Sequence, residues 1–220
     1  RLTFPNLINF RLGRVPSNYR RVFGHPASIF FQRNIANQET LEMSSLSIEP
    51  CDDGDGGFIC SIFEVPNSNQ EFTTANGVPS QAFLEREEEF HIIQMPYSQN
   101  LNSNDETKTK ALNSIGLACT SSTDAAYIAQ WGQQRFDDHY SKYGITTIWG
   151  WRRDSGLRPC AVYLRHCYLA AKSMGGVCFN SFLDDTYLVD RKTTVREYVQ
   201  RYPNVLETEP PDSLRDRYSG

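Results

Sequence analysis

The spacing of apolar positions in about the first hundred residues predicts short strands rather than long helices. Residues 19–23, 41–48, 57–65 and 90–97 are rich in β-branched and aromatic side chains and are bounded by polar or turn-forming residues. The run DDGDGG at residues 52–57 is typical of a tight turn. Because this turn separates two of the strands, 41–48 and 57–65 are expected to pair as an antiparallel hairpin.

Less regular segments surround these strands. Residues 1–15 are rich in Leu, Phe and Asn and are predicted to form an irregular arm. Residues 27–32 follow a His-Pro pair and are predicted to be extended. Residues 78–89 carry helix formers and are predicted to form a helical turn that leads into the strand at 90–97.

Beyond the polar stretch at 98–110, the apolar residues recur at helical spacing. Thr123 and Asp124 are suited to cap a helix that runs to about Tyr143 and ends at Gly144. Its apolar stripe comprises Tyr127, Ile128, Trp131 and Phe136. Core packing is the expected role of this stripe, in preference to an aromatic ligand site.

Two more helices and an edge strand are predicted after this point. One helix begins at Pro159, which suits a first turn, and ends at paired glycines. The other is capped by Thr193-Thr194, runs through Gln200 and stops before Pro203. Residues 145–151 are expected to form an edge strand. Residues 204–220 contain few core-type side chains and are expected to dock as an extended tail.

These elements together predict an α+β fold, with a small, twisted, mostly antiparallel sheet or barrel followed by packed helices. Residues 1–110 would form the sheet part with its N-terminal arm. Residues 111–220 would form a helical extension and a C-terminal tail packed on it. The two parts are expected to make one compact unit, since 220 residues suffice for one large domain.

Composition narrows the range of functions. The formal net charge of −4 argues against broad nucleic-acid binding, which requires a basic surface. No apolar run approaches the length of about 18 residues that a transmembrane segment needs. The six cysteines form no C-x-x-C pair and the four histidines are scattered, which argues against a structural zinc site and favours reduced thiols. Cys160 and Cys167 lie seven apart on one predicted helix, about 10 Å along its axis. That separation exceeds the reach of a disulfide of about 7 Å, so both are predicted to be free.

The most acidic segment precedes the strand at 90–97. Glu85, Glu87, Glu88 and Glu89 lie there, with Glu71 a little upstream. A charge run of this kind is usually a solvated helix end, and the alternative is that one of these acids turns inward. The sequence contains no P-loop, dinucleotide fingerprint, nucleophile elbow or H-E-x-x-H motif. The acidic turn is therefore where polar chemistry is concentrated.

The pattern Phe83-x-x-Arg86-Glu87-x-x-Phe90 resembles the L-x-x-(R/Q)-E-x-x-Y signature of the γ-glutamylcyclotransferase-like family. The segments NYRRVF at 18–23 and GFICSIFEV at 57–65 resemble two strands of that family. The resemblance implies that Glu87 is the catalytic acid and base and that the fold is of the γ-glutamylcyclotransferase-like type. It also implies that Arg86, Phe90 and Tyr19 bind the substrate, with Phe90 in place of the family's tyrosine.

The reaction implied by the resemblance releases 5-oxoproline from a small γ-glutamyl amine or peptide and needs no cofactor. One carboxylate can take the proton from the substrate ammonium and return it to the leaving nitrogen, if an apolar pocket raises its pKa. Glu87 would then point into a concavity beside Phe90, while Glu88 and Glu89 face solvent. Arg86 would hold a substrate carboxylate or, alternatively, form a surface ion pair with a neighbouring acid.

A second interpretation is a non-catalytic member of the family that serves as a binding module. The family's Tyr-Gly-Ser substrate-binding loop does not occur in this chain, which starts at Arg1. The arms at 1–15 and 203–220 suit docking onto a protein complex. The stretches LRHC and FLDDTYL resemble algal and protist members of the family. This implies a peripheral subunit of a larger assembly, for example a plastid photosystem I complex. The expected compartment is reducing, either the cytoplasm or the plastid stroma.

Overall fold

The computed structural model describes residues 7–52, 54, 56–65, 79–101 and 114–220, and within them the fold is α+β, as predicted. The strands are β1 (Ile8–Val15), β2 (Tyr19–Pro26), β3 (Glu42–Pro50), β4 (Phe58–Glu64), β5 (His91–Tyr97), β6 (Ser114–Thr120), β7 (Arg158–Pro159) and β8 (Thr186–Leu188). The α-helices are α1 (Ser28–Gln32), α2 (Gln81–Arg86), α3 (Asp124–Trp131), α4 (Gln133–His139), α5 (Ala161–Ser173), α6 (Gly176–Asp184), α7 (Val195–Arg201) and α8 (Arg215–Tyr218). Short 3₁₀ helices lie at Ser141–Tyr143, Pro203–Glu207 and Asp212–Leu214.

The strands form two sheets, and the described residues contain no closed barrel. The larger sheet has the order β5-β6-β3-β2-β8, with β7 paired to β3. Its β2–β3 and β5–β6 pairs are antiparallel. In contrast, β8 is parallel to β2, and both β6 and β7 are parallel to β3. A second, two-stranded antiparallel sheet is formed by β1 and β4. Strands from both sides of residue 110 therefore share one sheet.

The predicted hairpin between 41–48 and 57–65 is wrong, although both segments are strands. β3 pairs with β2, and β4 pairs with β1 in the other sheet. The reason lies in the glycines at the end of the DDGDGG run, because Gly56 and Gly57 donate their N–H groups to the carbonyls of Ser17 and Tyr19. A Cβ at Gly56 would collide with those same carbonyl oxygens. The run thus carries the chain from one sheet to the other; its residues 53 and 55 lie outside the described part.

Several local predictions also need correction. Most of the predicted arm at 1–15 is strand β1, since pairing with β4 satisfies its backbone in a way that its composition does not reveal. Residues 27–32 are not extended, because helix α1 allows Phe30 and Phe31 to be buried together. Strand β6 directly follows the polar stretch and has no counterpart in the predictions.

The predicted long helix from Thr123 to Tyr143 is divided. Thr123 caps α3 as expected, by accepting the N–H of Ala126. Gly132 then adopts a φ of 86° and separates α3 from α4, and Gly144 ends the following 3₁₀ turn in the left-handed conformation. Residues 145–151 are not an edge strand, because Asp124 accepts the N–H groups of Ile148 and Trp149 instead of a neighbouring strand.

The C-terminal helices cover the larger sheet. Pro159 lies in β7, so α5 begins later than predicted. Of the predicted Thr193-Thr194 cap, Thr194 is the residue that caps α7, and it forms a capping box with Glu197. One core cluster consists of Phe23, Leu164, Ala171, Phe182, Leu183, Leu188, Val195, Tyr198 and Val205. The tail docks through buried Val205, Leu214 and Tyr218, as predicted. The prediction that it is extended is wrong, because two 3₁₀ helices and α8 turn Leu214 and Tyr218 onto Cys160 and Val162. No helix in the described ranges is long and apolar enough to cross a membrane.

The prediction for the thiols is confirmed, since Cys160 and Cys167 are both free. Cys160 immediately precedes α5 and Cys167 lies within that helix. Burial raises the pKa of each thiol to about 12, so both are protonated at neutral pH.

Candidate functional site

The acidic turn joins α2 to β5. Ser80 caps α2 by accepting the N–H of Phe83, and the helix ends at Arg86. The Glu87 N–H then donates to the Phe83 carbonyl at 3.0 Å, and the Phe90 N–H donates to the Glu87 carbonyl at 2.9 Å. This tight backbone turn points the side chains of successive glutamates in different directions. Glu71 lies outside the described residues.

Glu87, the predicted catalytic residue, lies at the protein surface. Its carboxylate accepts a hydrogen bond from Nε of Arg86 at 3.1 Å, and its side chain is 26% exposed. Arg86 therefore forms an ion pair with Glu87, the next residue in the chain. Glu85 is also at the surface, where it accepts a hydrogen bond from Gln81.

Glu88 turns inward, so the prediction that it faces solvent is wrong. Oε2 accepts from Nε of Arg135 at 2.6 Å. Nδ1 of His139 lies 2.6 Å from Oε1, and the Ser28 hydroxyl lies 3.4 Å from the same oxygen. The cause is helix α4, which presents Arg135 and His139 on one face because they are one helical turn apart.

Glu89 is buried as well, and the prediction for this residue is also wrong. Oε1 accepts hydrogen bonds from the Tyr140 hydroxyl at 2.7 Å and from the Ser28 N–H at 3.1 Å. Burial raises the pKa of the Glu89 carboxyl, with a further contribution from the Glu88 charge. The hydrogen bonds from Tyr140 and Ser28 oppose this shift, because they stabilise the charged form.

Two tryptophans fix the backbone of the same turn. The indole N–H of Trp131 donates to the Glu88 carbonyl at 3.0 Å, and that of Trp149 donates to the Glu89 carbonyl at 3.0 Å. We define the buried acid cluster as Glu88 and Glu89 with the side chains that bind them. Those side chains are Ser28, Arg135, His139 and Tyr140. The cluster connects α1 and the acidic turn to α4 and to Tyr140, the residue that follows α4.

An aromatic group lies beside this cluster. The His25 ring stacks on Trp149 with 4.2 Å between centroids and meets the edge of Phe90 at 5.1 Å. His25 is fully buried, and neither of its ring nitrogens has a hydrogen-bond partner among the described residues. Burial lowers the pKa of His25 to about 3, so the ring is neutral at physiological pH.

The four predicted site residues lie in three different sets of contacts. Arg86 and Glu87 pair at the surface, and Phe90 packs with His25 and Trp149. Tyr19 instead packs against the cluster of Val15, Phe58 and Met95, between the two sheets.

A cleft of about 360 Å³ lies elsewhere, between β4 and α6. It is lined by Arg14, Ile59, Leu101, Val177, Asn180, Ser181, Asp184 and Asp185, and none of the predicted site residues is among them. Behind its wall the buried Arg21 donates to the carbonyls of Ile59 and Ser181. In the described part of the chain, no group of three or more His, Cys, Asp or Glu residues is arranged to hold a metal.

The partners of the inward acids were not among the predicted site residues. Trp131, Arg135 and His139 follow one another at intervals of four, which is a signal of a shared helical face. The Arg135 guanidinium lies over the Trp131 ring at 4.8 Å, which continues that face across the break at Gly132. The spacing is enough to predict that these three residues share a helical face. Only the tertiary structure shows that all three contact Glu88.

Comparison with protein-family models, curated proteins and solved structures gives no match to this chain. Its function must therefore be inferred from its own residues and from their arrangement.

Proposed function

We propose that this chain is a non-catalytic protein-interaction module in which the acidic turn has a structural role. The observation that carries the proposal is the saturation of the two inward acids by the chain's own donors. Glu88 is bound by Arg135 and His139, and Glu89 is bound by Tyr140 and the Ser28 N–H.

This saturation opposes a catalytic role for the inward acids. A general acid or base must come within hydrogen-bond reach of the proton that it transfers. A substrate would have to displace Arg135 or His139 to reach Glu88, and that would leave a buried carboxylate without its counter-ion. Glu89 has the raised pKa that acid–base chemistry requires, but its side chain is buried and its carboxylate is bound by Tyr140 and the Ser28 N–H.

The surface of β1 supports the interaction role. Ile8 and Phe10 are each nearly half exposed, although they belong to a strand that is paired with β4. The two residues are separated by one position in β1, and exposed apolar surface that forms a patch favours a protein partner. β1 is part of the segment that the sequence assigned to docking. The resemblance implies a peripheral position in a larger assembly, such as a plastid photosystem I complex.

A second candidate is the γ-glutamylcyclotransferase-like enzyme with Glu87 as acid and base. It is favoured by the exposure of Glu87, whose carboxylate is reachable from solvent. In this reaction the substrate's α-amine attacks its γ-carbonyl, the new C–N bond closes 5-oxoproline, and the original γ C–N bond breaks. Glu87 would take the proton from the ammonium and return it to the leaving amine, while Arg86 would hold the substrate carboxylate.

One assay separates the two candidates. The chain is incubated with a γ-glutamyl amine, and 5-oxoproline is measured by chromatography. We expect no release above a protein-free blank. The enzyme candidate instead predicts release that falls by about 10²–10⁴ in Glu87→Gln, the usual contribution of a general acid–base. The matched control is Glu85→Gln, an exposed acid of the same turn, which should then retain full turnover.

The interaction role has its own test. Cosedimentation with isolated photosystem I complexes should retain the parent chain, and Phe10→Lys should weaken retention without changing the circular dichroism spectrum. Retention that is equal for the parent and for Phe10→Lys would exclude β1 as the docking surface. Absence of retention would exclude this assembly as the partner.

A further inference from the structure

Strand β6 has one edge that is almost entirely unpaired within the described residues. Along its other edge it pairs with β5 over its full length, from Tyr97↔Ser114 to His91↔Thr120. On the open side it meets β3 only at Ile48↔Thr120. The rest of this edge therefore has no partner strand in the described part of the chain.

The direction of the peptide groups on β6 follows from its contact with β3. The Ser121 N–H donates to the Ile48 carbonyl at 2.7 Å, so the peptide groups of residue 121 point toward the open side. Peptide groups alternate in direction along a strand. The N–H and C=O groups of Leu117 and Ile115 consequently also point toward the open edge, whereas those of Gly116 and Ala118 point toward β5.

The side chains of this edge are apolar and exposed. Ile115 is 67% exposed and Leu117 is 42% exposed. The strand sequence SIGLACT contains no charge and no proline, and its pairing with β5 shows no register shift. Natural edge strands are usually protected by charges, prolines or bulges, since an unprotected edge is a template for another strand. β6 lacks these protections.

We propose that the open edge of β6 pairs with β6 of a second copy of this chain, antiparallel and about a twofold axis at Gly116. This proposal is independent of the interaction role assigned to β1. In this register, Ile115 lies opposite Leu117 of the second copy, and the outward N–H and C=O groups of the two residues satisfy one another. Gly116 lies opposite Gly116 in a non-hydrogen-bonded pair, where the Cα atoms of an antiparallel ladder approach most closely, to about 4.5 Å.

The self-complementary register is the reason to name a second copy as the occupant. The residues with outward peptide groups are the same ones that expose apolar side chains, so one symmetric pairing satisfies both. Each copy carries a formal net charge of −4, so two copies have a net electrostatic repulsion. The uncharged β6 is an edge at which they can approach without placing like charges in contact.

Analytical ultracentrifugation over a range of concentrations tests the proposal on the full chain. We expect a dimer, and we expect Leu117→Lys to weaken it at least about tenfold because it places a charge in the apolar pairing. The matched control is Val177→Lys, which places the same charge at an exposed apolar position of α6 and should leave the dimer intact. A monomer at every concentration, or a dimer insensitive to Leu117→Lys, would overturn the proposal.

Hydrogen exchange identifies the edge directly. The Ile115 and Leu117 amides should gain protection as concentration rises, whereas the Gly116 and Ala118 amides, which face β5, should be protected at every concentration. Protection of Ile115 and Leu117 that does not depend on concentration would mean that another segment of the same chain covers this edge. That outcome would also overturn the proposal.

Discussion

At the scale of single residues, burial shifts the protonation of His25 and Glu89 in the same way, toward the neutral form. His25 is an uncharged ring between Trp149 and Phe90, and its pKa is lowered to about 3. The pKa of Glu89 is raised because burial removes its carboxyl group from contact with water. Desolvation dominates in both cases, since neither group gains an opposite charge strong enough to offset it.

His25 should make the protein sensitive to acid. Its pKa is about 3 in the folded state and about 6.5 in the unfolded state, so between these values only the unfolded chain binds the proton. Stability should therefore fall as pH decreases from 6.5 toward 3, by up to about 1.4 kcal/mol per pH unit from this residue.

Replacing His25 by Phe keeps an aromatic ring in the stack and removes the proton. We expect urea denaturation of His25→Phe to show a shallower loss of stability between pH 7 and pH 4.5 than the parent shows. The difference between the two proteins at pH 8, where both rings are neutral, measures the packing change and serves as the reference. Parallel pH profiles would show that His25 protonation does not contribute.

At the scale of elements, α4 is positioned by charge as well as by apolar packing. Phe136 and Tyr140 are buried in the core, while Arg135 and His139 reach the Glu88 carboxylate from the same helix. Asp124 at the start of α3 binds the backbone of residues 148 and 149. Polar side chains thus connect the acidic turn to elements that lie far away in sequence.

Replacing Glu88 by Ala should destabilise the protein, because it leaves Arg135 and His139 facing a site with no carboxylate. The expected loss lies between about 1 kcal/mol, typical of surface pairs, and about 5 kcal/mol, typical of fully buried ones, since both partners are partly exposed. Urea denaturation measures it. Glu85→Ala, an exposed acid in the same turn, should change stability by less than about 0.5 kcal/mol; equal effects of the two changes would contradict the structural role.

At the scale of the whole molecule, the larger sheet is built from distant parts of the chain. Its β2 and β3 lie early in the sequence, while β6, β7 and β8 follow residue 110. Phe23 of β2 is fully buried, and the rest of its core cluster comes from residues 164 to 205. A long-range arrangement of this kind makes the two sequence halves depend on one another.

A fragment of residues 1–110 should therefore fail to fold on its own. It retains β2 and β3 but loses β6 and β8, which flank them, and the helices that bury Phe23. We expect non-cooperative urea denaturation and poorly dispersed amide resonances, against a cooperative transition for the full chain. A cooperative transition of the fragment would show that the sheet part is an independent domain.

The sequence by itself predicted the α+β class, the strands at β2, β3, β4 and β5, and the capping of α3 and α7. These features depend on local spacing and on single capping side chains, and both can be read from a short window. It also predicted that Cys160 and Cys167 are free, because the distance between them follows from a local helix.

Only the tertiary structure decided the pairing of the strands and the direction of the acids. The DDGDGG run is compatible with a hairpin, but the close approach of Gly56 to Ser17 and Tyr19 carries the chain into another sheet. Glu87, Glu88 and Glu89 look alike in sequence, and which of them turn inward depends on donors about fifty residues away, on α4 and at Tyr140 directly after it. A carboxylate is buried where distant groups can bind it, and that information is not local to the acidic turn.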